Sequence, residues 1–346
     1  MAMERYKVLL TAEADDNILK RLYEVCDVEE DGWKTKGITF SEDQLISKLQ
    51  QKDIFVTSYD VVSRKVIESS RSLKLIACTR SNPVNIDVEA AKEFGIKVVY
   101  TPGRNSDATA EFAVALLLDI ARNVTFANRA IMNADVITDN EQAPAIKKTD
   151  VTWGMVKNVR PYHRFQGVQI KNKNVGIVGY GSIGRRVAKI LEGFGAYILV
   201  YDPYISRVEI DCPSMRKVDF EELVAEADFI SCHIKITPET RGLFNYDTFG
   251  KMKKSAYFVN NSRGAVVVEE DLVRALKERQ IAGAALDVFE YEPLYKGHPF
   301  ISGGLDNLLL TPHISGASPD AIVNGTVMLV DEIKRFINNE PLLYTK

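Results

Sequence analysis

The sequence is poor in the features that mark disulfide-rich, metal-binding or secreted proteins. Its 346 residues include only four cysteines, Cys26, Cys78, Cys212 and Cys232, which lack the spacing of metal ligands or of a disulfide framework. We therefore expect reduced thiols and no metal site. Residues 1–7 mix charges and lack the apolar run of a signal peptide, which favours a cytoplasmic protein.

The sequence also has little net charge and only short apolar runs. The formal net charge is −3, so we expect no basic surface for nucleic acid or an anionic membrane. The longest apolar stretch, residues 112–121, is interrupted by Asp119 and is too short to span a bilayer. With 46% hydrophobic residues the chain can still bury ordinary cores, and its length favours two domains.

A glycine-rich turn is the most informative segment that is present. The β-branched run 175–178 precedes glycines spaced as G-x-G-x-x-G, and apolar residues at helical spacing follow them. Such a turn lets the backbone and a helix N-terminus approach a pyrophosphate. We assign to a dinucleotide cofactor the residues Gly179, Gly181, Ser182, Ile183 and Gly184.

Asp202 ends the next apolar run, residues 197–201. A carboxylate at this place can accept both ribose hydroxyls of the adenosine and repels a 2′-phosphate, so NAD is favoured over NADP. The alternative is a glycine-rich turn of an α/β domain that binds nothing. The strand pattern before the turn and the helical pattern after it favour the dinucleotide site.

Short β-rich runs alternate with helical patterns in two series, which predicts two parallel sheets covered by helices. The first series has strand candidates at 6–10, 53–57, 73–77 and 96–100. The second has candidates at 175–179, 197–201, 229–234, 256–260, 283–288 and 307–310, which predicts a six-stranded Rossmann domain. Residues 131–160 fit neither series, so we expect a surface excursion there, with a substrate lid or a subunit contact as alternatives.

Polar residues follow three strands of the second series. Ligands bind beyond the carboxyl ends of such strands, so these residues are expected to converge near the nicotinamide. Arg263 can bind a carboxylate by donating two N–H hydrogen bonds, and His313 can accept or donate a proton. Glu292, if within hydrogen-bond reach, would orient the imidazole and favour its protonated form. Asp287 either accepts from the nicotinamide carboxamide or caps the strand, and we assign it to the cofactor.

Two further residues are assigned to the cofactor, His233, which closes a strand, and Thr240, in the segment that follows. For each polar residue taken alone, a structural role is the alternative: an Arg-Gly after a strand is often a turn, and a single histidine is often structural. His163 and His298 lie in expected loops and receive no role.

These residues occur in motifs that resemble the D-isomer-specific 2-hydroxyacid dehydrogenases, from about Leu73 to the C-terminal helix. The similar segments are 178–184, 201–204, 233–242, 260–264, 285–293 and 311–316. The resemblance implies a catalytic trio of Arg263, Glu292 and His313, NAD as cofactor, and a homodimer formed through the Rossmann halves. It also implies a smaller flavodoxin-like α/β substrate domain, residues 1–104 and 318–346, that closes on a Rossmann domain, residues 105–317.

One loop departs from the family pattern R-x-G-x-G-x-D-N-x-D. Residues 78–87 carry Arg80 and Asn82 where the family has glycines. The resemblance places this loop against the substrate carboxylate, and we assign Arg80, Ser81, Asn82 and Asn105 to substrate binding. Arg80 either adds a positive group for a second anion on the substrate, reshapes the pocket, or points to solvent.

The expected function is NAD-dependent interconversion of a D-2-hydroxy acid and its 2-keto acid, with a polar or charged substrate tail. Phosphoglycerate dehydrogenases tend to place an arginine where this chain has Thr57, Ser58 and Tyr59, which disfavours 3-phosphoglycerate without excluding it. The alternatives are a phosphoglycerate dehydrogenase proper and a non-catalytic, corepressor-like NAD sensor on the same fold. A sensor would bind NADH tightly and reduce no 2-keto acid.

Overall fold

The protein is described by a computed structural model that covers residues 5–137, 160–210 and 213–346. The chain forms two compact units: the first is Met1–Ala108 with Gly316–Lys346, and the second is Thr109–Ser315. The boundaries expected from the sequence, after residues 104 and 317, fall close to these. Most of the segment 131–160 lies outside the described residues, as does Cys212.

The two units contain parallel strands alternating with helices. The strands are β1 (Tyr6–Leu10), β2 (Cys26–Glu30), β3 (Ile54–Thr57), β4 (Leu75–Cys78), β5 (Lys97–Tyr100), β6 (Asn174–Val178), β7 (Tyr197–Tyr201), β8 (Met215–Lys217), β9 (Phe229–Cys232), β10 (Tyr257–Asn260), β11 (Gly283–Leu286) and β12 (Leu308–Leu310). The helices are α1 (Asp16–Tyr23), α2 (Trp33–Lys36), α3 (Glu42–Leu49), α4 (Arg64–Ser69), α5 (Val88–Glu93), α6 (Ser106–Arg122), α7 (Val124–Met132), α8 (Pro161–Arg164), α9 (Ser182–Gly193), α10 (Phe220–Glu226), α11 (Tyr246–Lys251), α12 (Glu269–Lys277), α13 (Pro299–Ser302) and α14 (Pro319–Ile337).

The first unit is a five-stranded parallel sheet in the order β2-β1-β3-β4-β5. Successive residues of a strand face opposite sides of the sheet, so two separate cores form. Val8 and Leu10 of β1 pack in the core that includes Val330 of α14, whereas Leu9 packs in the core that includes Leu45 of α3. The C-terminal helix α14 therefore belongs to the first unit.

Helix ends in this unit follow local sequence signals. Ser41 and Gln44 form a reciprocal capping box at the start of α3, and the Asp87 carboxylate accepts from the Ala90 N–H at the start of α5. Gly95, with φ +70°, ends the turn after α5 in the left-handed conformation that glycine adopts without strain. The two N-caps set where the loops that lead into α3 and α5 end.

The second unit is a seven-stranded parallel sheet in the order β12-β11-β10-β9-β6-β7-β8. Ile177 and Val178 of β6 face opposite cores, one shared with α6 and α9 and the other with α10, α11 and α12. The strand order reverses between β6 and β9, which makes a crevice for ligands at the carboxyl ends of these strands. The predicted α/β class is confirmed.

Two strands are additions to the sequence prediction, which missed β2 in the first sheet and expected six rather than seven strands in the second. Both β2 and β8 are edge strands: β2 exposes Asp27, Glu29 and Glu30, and β8 is only three residues long. Their pairing with one neighbouring strand comes from the tertiary fold and not from an apolar pattern.

Candidate active site

The glycine-rich turn lies between β6 and the N-terminus of α9. Gly179 has φ +92°, and a Cβ there would lie 2.8 Å from the His233 carbonyl oxygen. A Cβ on Gly184 would lie 2.1 Å from the Gly179 carbonyl oxygen, so this glycine permits close packing of helix and turn. A Cβ on Gly181 would meet no atom within 4 Å, which leaves its backbone open. Open backbone beside a helix N-terminus fits a pyrophosphate.

Asp202 follows β7 and is held by the backbone on both oxygens. Its Oδ2 accepts from the Tyr180 N–H at 2.9 Å, and its Oδ1 accepts from the Tyr204 N–H at 2.9 Å. Each carboxylate oxygen retains a lone pair for a further donor, such as a ribose hydroxyl. A cavity of about 440 Å³ beside this carboxylate is also lined by Tyr201, Arg207, Lys217 and Asp219. The arrangement fits the adenosine end of a dinucleotide.

His233 lies beside the turn, at the end of β9. Its Nε2 is 2.9 Å from the Ser231 hydroxyl, and its Nδ1 is buried without a hydrogen-bond partner among the described residues. Burial lowers the pKa of His233 to about 3, so the ring is neutral at ordinary pH. Thr240 closes the loop after β9, since its hydroxyl donates to the Lys235 carbonyl at 2.7 Å.

Arg263 follows β10 and is exposed, and its Nη1 donates to the Ser262 carbonyl oxygen at 2.6 Å. The next residue, Gly264, is in direct backbone contact with another loop. A Cβ on Gly264 would lie 1.9 Å from the carbonyl carbon of Phe289 and 2.3 Å from the amide nitrogen of Glu290. Only glycine can occupy this position, so the arginine loop and the loop after β11 are packed without a side chain between them.

The loop after β11 is fixed by two carboxylates. Glu292 folds back so that its Oε1 accepts from the Phe289 N–H at 2.9 Å. The Glu290 N–H donates to Glu269 Oε1 at 3.0 Å, and Glu269 Oε2 is 3.1 Å from Nε2 of the buried His298. Because His298 Nδ1 accepts from the Phe300 N–H, its Nε2 carries the proton and donates to Glu269. His298, which received no role in the sequence prediction, thus supports the loop of Glu292.

His313 follows β12 and meets Glu292. Its Nδ1 is 2.7 Å from Glu292 Oε2, and about half of its side chain is exposed. The pair leaves the other ring nitrogen, Nε2, for a substrate. His313 has φ +55°, a left-handed conformation that is uncommon for a residue with a side chain.

Asp287 stabilises this histidine loop. Its buried carboxylate accepts from the Thr311 hydroxyl at 2.6 Å, the Ile314 N–H at 3.0 Å and the Ser315 N–H at 2.8 Å. The structure thus shows the strand-end capping role for Asp287. A contact with the nicotinamide carboxamide stays a prediction.

The loop assigned to substrate lies in the first unit. Ser81 donates to Asn105 Oδ1 at 3.1 Å, so two of the four assigned residues are in contact. Arg80 is partly exposed and Asn82 is exposed. The first unit also brings Arg104 to this edge of its sheet, a residue that the sequence analysis did not assign. The signal was available, because Arg104 follows β5 just as Arg80 follows β4.

Two findings on the described residues concern membranes and metals. No described helix is both long and apolar enough to cross a bilayer. Within the same residues, no group of three or more histidine, cysteine, aspartate and glutamate side chains could hold a metal ion.

Comparison with known proteins identifies the family. The model of the D-isomer specific 2-hydroxyacid dehydrogenase NAD-binding domain matches residues 114–315. A glyoxylate reductase of Thermofilum pendens is 37% identical over 326 residues, which cover 92% of this chain and 88% of that protein. A D-3-phosphoglycerate dehydrogenase of Methanocaldococcus jannaschii is 34% identical over 96% of this chain, but the match covers only 58% of that enzyme.

Solved structures agree with this result. The apo structure of D-lactate dehydrogenase from Escherichia coli matches with a TM-score of 0.73 and 25% identity, covering 98% of this chain and 99% of that chain. The motifs quoted from the sequence, the two parallel sheets and these similarities confirm the resemblance. The chain belongs to the D-isomer specific 2-hydroxyacid dehydrogenase family and is an NAD-dependent oxidoreductase.

Proposed function

We propose that the protein reduces a 2-keto acid to a D-2-hydroxy acid with NADH, and catalyses the reverse reaction with NAD. His313 and Glu292 act as the acid/base pair, and Arg263 binds the substrate carboxylate. The observation that carries this proposal is the 2.7 Å contact between His313 Nδ1 and Glu292 Oε2, which leaves Nε2 as the ring nitrogen available for proton transfer.

Each residue has a distinct task in the proposed reaction. When bound, the reduced cofactor supplies a hydride for the carbonyl carbon of the substrate. His313, protonated on both nitrogens and hydrogen-bonded through Nδ1 to the Glu292 carboxylate, donates its Nε2 proton to the carbonyl oxygen. Arg263 offers N–H groups to the carboxylate and to the same oxygen, which orients the carbonyl. In the first unit, Ser81, Asn82 and Asn105 are proposed to contact the substrate.

The proposal is tested by replacing His313 with asparagine and following NADH oxidation with glyoxylate, hydroxypyruvate and pyruvate. Loss of the proton donor should lower kcat by about 100-fold or more. NADH affinity, measured by fluorescence titration, should change by less than about threefold. His163→Asn, on an exposed histidine, is the matched control and should leave both quantities unchanged. An equal loss of turnover and NADH affinity would mean that His313 has only a structural role.

The same assay separates an enzyme from a sensor. Tight NADH binding by the unaltered protein, with no oxidation by any 2-keto acid tested, would contradict the proposed function and favour the sensor. The proposed assembly is a homodimer, and light scattering at several protein concentrations measures it.

A further inference from the structure

Two arginines follow neighbouring strands at the carboxyl edge of the first sheet. Arg80 follows β4 and Arg104 follows β5, which is the neighbouring strand. The backbone joins the two segments, because the Thr101 N–H donates to the Arg80 carbonyl oxygen at 3.2 Å. Ligands of open parallel sheets bind at this edge. Both arginines therefore lie where a ligand of the first unit is expected.

Arg104 is partly enclosed by helix α14. Its Nη1 donates to the Ala321 carbonyl oxygen at 3.1 Å, and its Nε is buried with no partner among the described residues. A Cβ on Gly325 would lie 2.8 Å from Cδ of Arg104, so the glycine makes room for this side chain. Burial is the largest influence on this guanidinium and lowers the pKa of Arg104.

Neither arginine is in ion-pair contact with a carboxylate of the described residues, and the Arg80 side chain makes no hydrogen bond with those residues. After burial, the largest influences on the pKa of Arg104 are the charges of Tyr59 and Glu13, which raise it, followed by the charge of Arg80, which lowers it. Glu13 is exposed. The edge therefore holds two cations that form no ion pair with the described residues.

Such an arrangement is costly unless an anion completes it. A guanidinium has five N–H donors, and a buried donor without an acceptor costs free energy, as does a buried charge without a counter-ion. A second cation nearby adds repulsion. The Thr101 hydroxyl, buried and also without a partner in the described chain, offers one more donor at the same place. Two unpaired guanidinium groups suit a carboxylate or a phosphate.

We propose that Arg80 and Arg104 together bind a second anionic group on the 2-keto acid, so that the preferred substrate is a dianion. The inference rests on the proposed function and extends it by naming the substrate class. The chemistry common to the candidates is a terminal carboxylate or phosphate on the tail of the 2-keto acid.

The test compares monoanionic and dianionic 2-keto acids with wild type and two variants. Glyoxylate, pyruvate and hydroxypyruvate form the first group, and oxaloacetate, 2-oxoglutarate and 3-phosphohydroxypyruvate form the second. In wild type, kcat/KM of the best dianion should exceed that of the best monoanion by about tenfold or more. Arg80→Met and Arg104→Met should each lower the dianion value by about tenfold, mainly through KM, and change the glyoxylate value by less than about threefold.

Two controls separate binding from structure. Arg71→Met removes an exposed arginine before β4, at the opposite end of that strand, and should leave the preference for dianions unchanged. Arg104→Lys keeps the charge and should retain part of the preference. If Arg104→Met lowers kcat/KM equally for dianions and for glyoxylate, Arg104 only supports α14 and does not bind the second anionic group. If that variant does not fold, Arg80→Met decides alone.

The choice among dianions distinguishes the two sources of the charge. Preference for oxaloacetate or 2-oxoglutarate indicates a carboxylate, and preference for 3-phosphohydroxypyruvate indicates a phosphate. Preference of wild type for monoanions overturns the inference while leaving the proposed function standing. If no 2-keto acid is reduced, the proposed function fails, and the anion site is judged by thermal unfolding. Inorganic phosphate or malonate should then raise the Tm of wild type more than that of Arg80→Met, and equal shifts overturn the site.

Discussion

In each unit, a fully buried aspartate lies just beyond a strand of the parallel sheet. The two aspartates stabilise different parts of their units through the hydrogen bonds that they accept. Asp60 accepts from the Thr11 and Thr57 hydroxyls and from the Phe40 N–H, so it ties together the ends of β1 and β3. Asp287 accepts from three donors of residues 311–315, so it ties down the loop of the catalytic candidate.

The difference shows how one architecture supports two kinds of polar edge. In the second unit, Glu292 meets His313, and other carboxylates hold the loops that carry them. In the first unit, the buried carboxylate accepts from hydroxyl and backbone donors, and the two arginines of the edge form no ion pair with the described residues. The two proposals accordingly assign anion recognition to the first edge and proton transfer to the second.

The largest expected effect comes from Gly264→Ala, which breaks the second edge. The new Cβ overlaps the peptide bond between Phe289 and Glu290, so the two loops must separate. We expect a loss of about 3 kcal/mol in the free energy of unfolding, measured with urea, and a fall in kcat of about 100-fold. Gly193→Ala, where a Cβ meets no atom within 4 Å, is the control and should not destabilise the protein.

The two buried aspartates allow a direct comparison of the edges. Asp60→Asn and Asp287→Asn each remove a charged acceptor of three hydrogen bonds, and each should lower the unfolding free energy by about 2 kcal/mol. Only Asp287→Asn should also lower kcat, by about tenfold, since His313 loses its support. Equal kcat values in the two variants, measured on folded protein, would contradict the assignment of proton transfer to the second edge.

Asp202→Ala tests how the second unit selects between NADH and NADPH. Removing the carboxylate should weaken NADH binding by about tenfold, because acceptors for two ribose hydroxyls are lost. NADPH binding should not weaken, since the negative charge that repels a 2′-phosphate disappears as well. Fluorescence titration with both cofactors measures the ratio. An unchanged ratio of the two affinities would refute the role of Asp202 in selecting NAD.

His298→Ala tests the support behind Glu292. The variant removes the donor that fixes Glu269, so the loop after β11 should loosen and kcat should fall by about tenfold, with the KM for NADH unchanged. His298→Gln, which can still donate to Glu269, should recover part of the loss. A fall in kcat that the glutamine variant does not reduce at all would point to lost packing instead.

The smallest expected effect at neutral pH is that of His233, because above pH 6.5 its ring is mostly neutral in both the folded and the unfolded state. The unfolded ring binds a proton below its ordinary pKa of 6.5, whereas burial lowers the native pKa of His233 to about 3. Between these values the unfolded state holds more protons, so stability falls as the pH drops from 6.5 towards 3. The slope in this window should be smaller in His233→Gln by at most about 1.4 kcal/mol per pH unit. Urea titrations at several pH values measure it.

Local sequence signals were sufficient for much of the fold and for the partners in the site. The glycine spacing, the caps at Ser41 and Asp87, and polar residues directly after apolar strands depend on neighbours in the chain, so they can be interpreted without a structure. The proximity of Glu292 and His313 could be predicted from one rule, that parallel strands present their carboxyl ends at a common edge.

The remaining features depend on contacts between distant segments. From the sequence alone, Gly264 resembles a residue of an ordinary turn. Only the contact between its backbone and that of Phe289 shows that no side chain fits at this position. The pairing of His298 with Glu269 joins two loops that carry no common motif. The edge strands β2 and β8 owe their extended form to one neighbouring strand each, which no periodicity of their own residues reveals.

The left-handed backbone of His313 also bears on how such a chain can change over generations. Besides glycine, asparagine is among the residues that adopt this conformation most readily, whereas β-branched residues strain it. We therefore expect a change from histidine to asparagine to keep the loop intact and to remove only the proposed proton donor. If His313 is the proton donor, a single amino-acid replacement at a position whose backbone accepts asparagine would convert the enzyme into a folded NAD-binding protein without turnover.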